Sequence, residues 1–128
     1  MSAEINQQAV LAEVKSVFEI YETALITNNL AVLDQLFWQS EIVVRFGINE
    51  NLYGIEAIRT FRKARETGAL NRKLCNTIIT TFGQDFATTT TEFIRDDQIT
   101  GRQSQTWVRF PQGWRIVSAH VSQARFDH

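Results

Sequence analysis

From Ala3 to Thr27 apolar residues return on a helical period: Val10, Val14, Val17, Tyr21 and Leu25 fall at i, i+4, i+7, i+11 and i+15, with Phe18 beside them. One apolar stripe therefore runs along about six turns, which predicts an amphipathic helix with Ser2 as N-cap and Asn28-Asn29 as its stop. A shorter helix follows from Leu30 to Phe37, with Asn29 placed to cap it. Ile42 to Phe46 is β-branched or aromatic apart from Arg45 and reads as a strand, and Gly47 to Asn51 supplies turn chemistry behind it. Gly54 to Glu66 carries Ile55, Ile58 and Phe61 on one stripe, a third helix.

After Leu70 the period shortens. Lys73 to Phe82, Phe86 to Arg95, Thr100 to Phe110 and Trp114 to Ser122 read as strands, separated by turns at Gly83-Gln84-Asp85, Asp96-Asp97-Gln98 and Pro111-Gln112-Gly113. The run Thr88 to Thr91 favours strand because β-branched side chains are stiff in helices. Helices first and a four-strand meander second is an α+β layout, a curved antiparallel sheet packed on a long helix. No linker, repeat or charge block divides residues 1–128, so one domain is expected.

Composition narrows the function classes. The chain has 13 Lys and Arg against 14 Asp and Glu, a net charge of −1, which provides no field to hold nucleic acid or an anionic membrane surface. It shows no basic and apolar leader and no apolar run of spanning length, so the cytoplasm is the expected compartment and no membrane partner is expected. The single Cys75 cannot form an internal disulfide and reads as a small buried hydrophobe. There is no Gly-x-Ser-x-Gly elbow, Ser-x-x-Lys pair, phosphate loop or metal-ligand spacing, the two histidines being His120 and His128. No metal or cofactor is therefore expected, and covalent serine, cysteine and zinc hydrolysis lose support.

What remains is polar residues in apolar company. Tyr21 lies inside the first helical stripe, so its ring is expected to be buried and its hydroxyl either satisfied in the core or turned into a pocket as a proton donor. Arg45 interrupts an apolar strand. It either faces outward, pairs with Glu41 or Glu50, or is buried awaiting an anion. Arg62 lies four residues after Ile58 and seven after Ile55, and Arg65 lies four after Phe61 and seven after Ile58, so both continue the buried stripe of the third helix. Either they snorkel, stem buried and head in water, or they converge with Arg45 on a cavity that selects a small carboxylate. Arg59 and Lys63 fall at the margin of that stripe or outside it and are expected to be solvated.

In the last hairpin Gln103, Gln105 and Trp107 share one strand face, while Trp114, Ile116, Ser118 and His120 share a face of the final strand. Phe110-Pro111-Gln112-Gly113 suits either a type I turn or a type I turn with a glycine bulge. The first register sets His120 beside Gln103, the second beside Ser104.

The order of elements, the run Gly54 to Arg62 and the ending Gly113 to Val117 with His120-Val121-Ser122 resemble the nuclear transport factor 2-like superfamily, a cystatin-like α+β cone. Val44 to Gly47, Glu50 to Gly54, Phe61 to Arg65, Thr80 to Thr88 and Gly101 to Trp107 are similar to the AtzH-like family, which includes the HpxZ proteins linked to oxalurate catabolism. That resemblance implies an amide-cleaving activity on 1,3-dicarboxyurea and an active pair, a helix-1 tyrosine and a first-strand arginine, that falls on Tyr21 and Arg45. It also implies a pocket face carrying Gln105 and His120, which favours the first hairpin register, and, by likeness to related cones, a homodimer formed through the sheet.

The expected function is metal-free hydrolysis of a small ureido carboxylate. Arginines would hold the carboxylates and Tyr21 would act as acid or base. Two alternatives stand beside it. One is a non-catalytic module that binds a small carboxylate or assembles a purine-catabolic complex. The other is an isomerase or dehydratase of the ketosteroid isomerase kind, for which Glu92 is the one inward carboxylate candidate.

Overall fold

A computed structural model describes residues 4–65, 71–96 and 98–124. Three helices, α1 (Gln8–Thr27), α2 (Leu30–Leu36) and α3 (Ile55–Ala64), pack on a six-stranded sheet of β1 (Val44–Phe46), β2 (Asn51–Tyr53), β3 (Arg72–Phe82), β4 (Phe86–Arg95), β5 (Thr100–Phe110) and β6 (Gly113–Ala124). The strand order is β2-β1-β6-β5-β4-β3, with β1 parallel to β6 and the other pairs antiparallel. The α+β class and the C-terminal meander are as the periodicity predicts.

Several boundaries differ for local reasons. The first helix starts at Gln8, because Ile5 and Asn6 pair with the end of β3: Asn6 N–H donates to Thr81 O at 3.0 Å and Asn6 Oδ1 accepts from Thr81 N–H at 2.8 Å. Asn28, in the left-handed region at φ 55°, ends α1, and Asn29 Oδ1 accepts from Val32 N–H to cap α2. Asn51 to Tyr53, of which only Asn51 reads as turn in the sequence, is an edge strand too short to show alternation. Gly54 follows at φ 87°, where a Cβ would stand 3.1 Å from Glu41 O, so glycine suits the abrupt entry into α3. The Ser2 cap, Glu66 and Asp97 lie outside the described residues.

The core fills the space between α1, α2 and the inner sheet face. Val14, Leu33, Phe37, Val43, Ile58, Trp107 and Ile116 are fully or almost fully buried. Cys75 is half-buried rather than buried, since β3 is an edge strand and its pairing with β4 is broken between Cys75 and Ile78, at Asn76 with φ 54°.

The β5–β6 hairpin contains both expected registers. At the turn Phe110 faces Gly113 and Trp107 faces Ile116, as a two-residue loop requires. Between Trp107 and Thr106 the register slips by one, so that Thr106 faces Ser118 and Ser104 faces His120. Val117 is the extra residue of a bulge, and it inverts the side-chain alternation of β6. Trp114 and Ile116 point inward before it and Ala119 after it, while Ser118 and His120 are exposed.

Candidate functional site

A cavity of about 190 Å³ lies where α1, the β1–β2 loop, α3 and the starts or ends of β3 to β6 meet. Tyr21, Arg45, Glu50, Phe61, Arg65, Arg72, Arg95 and Gln103 are among its walls. A larger groove of about 540 Å³ runs past Trp38, Arg59, Phe110 and Arg115 but contains none of the candidate catalytic or substrate-binding residues.

Tyr21 is 2% exposed, its ring edge-on to Phe37 with centroids 6.2 Å apart. Its phenol oxygen accepts a hydrogen bond from Arg62 Nη2 at 3.0 Å. Burial pushes the phenol pKa up, but the charges of Arg62 and Arg45, the Arg62 hydrogen bond and the charge of Arg72 outweigh it and leave the group below its ordinary value. The two readings of Tyr21 thus merge: it is a core ring whose hydroxyl sits in a cationic cavity.

Arg62 is 2% exposed, so the helix phase places it correctly and it does not snorkel. Its guanidinium lies over the Phe37 ring at 5.9 Å, and its Nε and Nη1 have no partner among the described residues. Arg65, one turn on, is half-buried in the cavity wall. Burial first, then the charges of Arg62 and Arg45, hold its pKa below the usual guanidinium value. Arg59 pairs with Glu56 and Gln39 at the surface, and Lys63 is exposed.

Arg45 is buried at 7% exposure, and it is also paired: Nη1 donates to Glu50 Oε1 at 2.9 Å, while its Nε has no partner among the described residues. Its guanidinium lies over Phe61 at 5.3 Å. The tight loop between β1 and β2 makes the pairing: a Cβ on Gly47 would collide with the Glu50 carboxylate and stand 3.0 Å from Arg45 Nη1.

Gln105 is 2% exposed, with Oε1 accepting from Thr89 Oγ1 at 3.0 Å, but it does not line the cavity directly. His120 is a correction. Beyond the Val117 bulge it lies on the outer sheet face, exposed and edge-on to Phe46 at 5.8 Å, and cannot reach the Tyr21 cavity. Glu92 is likewise exposed, accepting from Asn76 Nδ2 at 2.7 Å, which removes it as an inward base.

Arg72, in the cavity wall, and its partner Glu22 were not singled out in the sequence. Arg72, at the start of β3, is clamped by Glu22, with Nε to Oε2 at 2.8 Å and Nη2 to Oε1 at 2.6 Å. Its Nη2 also donates to Gln103 Oε1 at 3.0 Å. The signal for Glu22 was present, since it stands four residues after Phe18 and three before Leu25 on the buried side of α1. Among the described residues no group of three or more His, Cys, Asp or Glu is placed to hold a metal ion, and no helix is long and apolar enough to cross a membrane.

A helix-covered sheet enclosing a polar cavity is the build of the cystatin-like, nuclear transport factor 2-like fold, and solved structures agree. A cystatin-like protein from Burkholderia xenovorans LB400 is 45% identical, with 98% of this chain and 99% of that one covered and a TM-score of 0.93. A protein of unknown function from Pectobacterium atrosepticum SCRI1043 is 56% identical over 94% of this chain and 95% of its own, with a TM-score of 0.92. An NTF2-like protein from Pseudomonas putida KT2440, 17% identical over 94% and 90% of the two chains, shares the fold at a TM-score of 0.82. No protein with a curated function matches the sequence. Residues 3–126 match the AtzH-like family model, and the chain belongs to that family.

Proposed function

We propose that the cavity binds a small ureido carboxylate and hydrolyses one of its C–N bonds, as a step in purine or ureide nitrogen catabolism. The observation that carries this reading is the buried Tyr21 phenol held by Arg62 in a cluster of arginines, with its pKa drawn down. Arg45 and Arg65 meet the carboxylate. The Tyr21 phenolate takes a proton from water as the water oxygen adds to the scissile carbonyl, and the guanidiniums offset the charge that develops there. Tyr21 then returns the proton to the nitrogen as the C–N bond breaks, so that one water is consumed and an amine and a carboxylate are released. Glu50 and Glu22 do not compete for the base role, because each is engaged by an arginine. Incubation with 1,3-dicarboxyurea, oxalurate and allophanate, following ammonia and carbon dioxide, tests the reading. Turnover of any of them supports it. Thermal stabilisation without turnover points instead to a carboxylate-binding module, and neither effect defeats both.

The outer sheet face supports the second part of the reading, a homodimer formed through the sheet. Tyr53, Ile78, Phe86 and Ile94 are 65%, 62%, 41% and 42% exposed, and they lie on the face opposite the cavity together with Phe46. Uncovered apolar area of this kind is usual at subunit contacts. Sedimentation velocity of the wild type and of Ile78→Glu should show a dimer and a monomer, respectively.

A further inference from the structure

Gln103 and Gln105 are 3% and 2% exposed, and the Nε2 of each has no hydrogen-bond partner among the described residues. Their carbonyl oxygens, in contrast, are both taken. Arg72 Nη2 donates to Gln103 Oε1 at 3.0 Å. Thr89 Oγ1 donates to Gln105 Oε1 at 3.0 Å and itself accepts from Trp107 Nε1 at 3.1 Å.

A guanidinium has donors only, so the Gln103 amide cannot turn round without setting N–H against N–H. Arg72 cannot swing away either, because Glu22 grips it through two hydrogen bonds and its guanidinium lies over Phe93 at 4.6 Å. The sequence Glu22, Arg72, Gln103 therefore fixes one amide NH2 as a donor at the cavity that Tyr21 and Arg45 also line. The unpartnered atoms of this cluster, Gln103 Nε2, Gln105 Nε2, Arg45 Nε, and Arg62 Nε and Nη1, are all donor nitrogens.

We propose that Gln103 is the residue that selects a neutral carbonyl oxygen in the ligand, and that Glu22 and Arg72 are the pair that positions it. The proposal rests on the reading of the cavity as a site for a small ureido carboxylate. Arginines already engaged by carboxylates, which any short diacid offers, do not tell a ureido carbonyl from a methylene. Gln103 does, because a buried N–H left unpaired by the ligand is costly, whereas an acceptor placed against it removes that cost.

Acetonedicarboxylate and glutarate share chain length and both carboxylates and differ only by a central carbonyl oxygen, so their affinity ratio reads the proposed contact. By isothermal titration the wild-type chain should bind acetonedicarboxylate roughly tenfold more tightly than glutarate, the worth of about one such hydrogen bond. Gln103→Met should bring the ratio close to one while glutarate still binds. Gln103→Glu, which keeps the size and offers Arg72 a carboxylate, should abolish or reverse the preference and serves where the Met variant does not fold. Glu22→Gln should lower the ratio as well, which a merely structural ion pair would not do. A wild type without preference, or one whose preference survives both Gln103 substitutions, overturns the assignment and leaves the carboxylate site standing. An unchanged ratio in Glu22→Gln overturns the positioning role. Binding of neither diacid by the wild type overturns the underlying reading with it.

Discussion

Arg62 Nη2 and the phenol oxygen of Tyr21 meet at 3.0 Å in the buried interior, joining α3 to α1 across 41 residues of chain. A cation donating to the phenol stabilises its ionised form. Arg45 and Arg72 add their charges.

The protein has two tyrosines, and Tyr53 is 65% exposed, so Tyr53→Phe isolates Tyr21 for ultraviolet titration. The midpoint should fall below the ordinary 10.0, and Arg62→Met should move it upward. The native state then loses the Tyr21 proton before the unfolded chain does. The corresponding stabilisation is full above 10.0 and disappears as pH falls through the lowered pKa. Urea unfolding across that window should show stability rising with pH in the Tyr53→Phe protein, with a smaller rise when Tyr21 is also Phe.

The Arg45–Glu50 pair depends on the absence of a side chain at Gly47. Gly47→Ala should cost roughly 1–3 kcal/mol in urea unfolding, and Glu50→Gln a similar amount. Because both break the same contact, the double variant should cost less than their sum.

Glu22 and Arg72 have side chains 12% and 3% exposed. Glu22→Ala should destabilise by about 3–5 kcal/mol, since it strands a buried guanidinium. Glu22→Leu combined with Arg72→Met should recover most of that loss, as replacing both charges leaves neither unpaired. Chemical denaturation of the single and double variants measures both effects.

His120→Ala should leave turnover within about twofold of wild type, the scale of an ordinary surface substitution. A kcat/KM comparison checks it. A loss of activity comparable to that from Tyr21→Phe would mean that His120 reaches the cavity after all.

The correction at His120 shows where sequence reading stops. Helix phase carried Tyr21 and Arg62 correctly into the interior, because a stripe at a 3.6-residue period tolerates no slip over its length. Arg45 was visible as a charge within a β-branched run, and both its burial and its Glu50 partner were among the expected outcomes. In β6 a single extra residue, Val117, reverses the face of everything after it, and valine carries no mark that distinguishes a bulge from regular strand. Arg72 escaped notice because it opens its strand, where no alternation yet defines a face. Its partners Glu22 and Gln103 lie 50 and 31 residues away, so only the tertiary fold brings them together.

The central claim is that Tyr21 and Arg45 carry the chemistry, and the most direct measurement is the rate of ammonia and carbon dioxide release from 1,3-dicarboxyurea, oxalurate and allophanate by wild type, Tyr21→Phe and Arg45→Ala. Wild-type turnover of at least one compound, with kcat reduced by about 10²-fold or more in Tyr21→Phe and kcat/KM reduced comparably in Arg45→Ala, is the predicted result. Turnover left intact in both folded variants would contradict it.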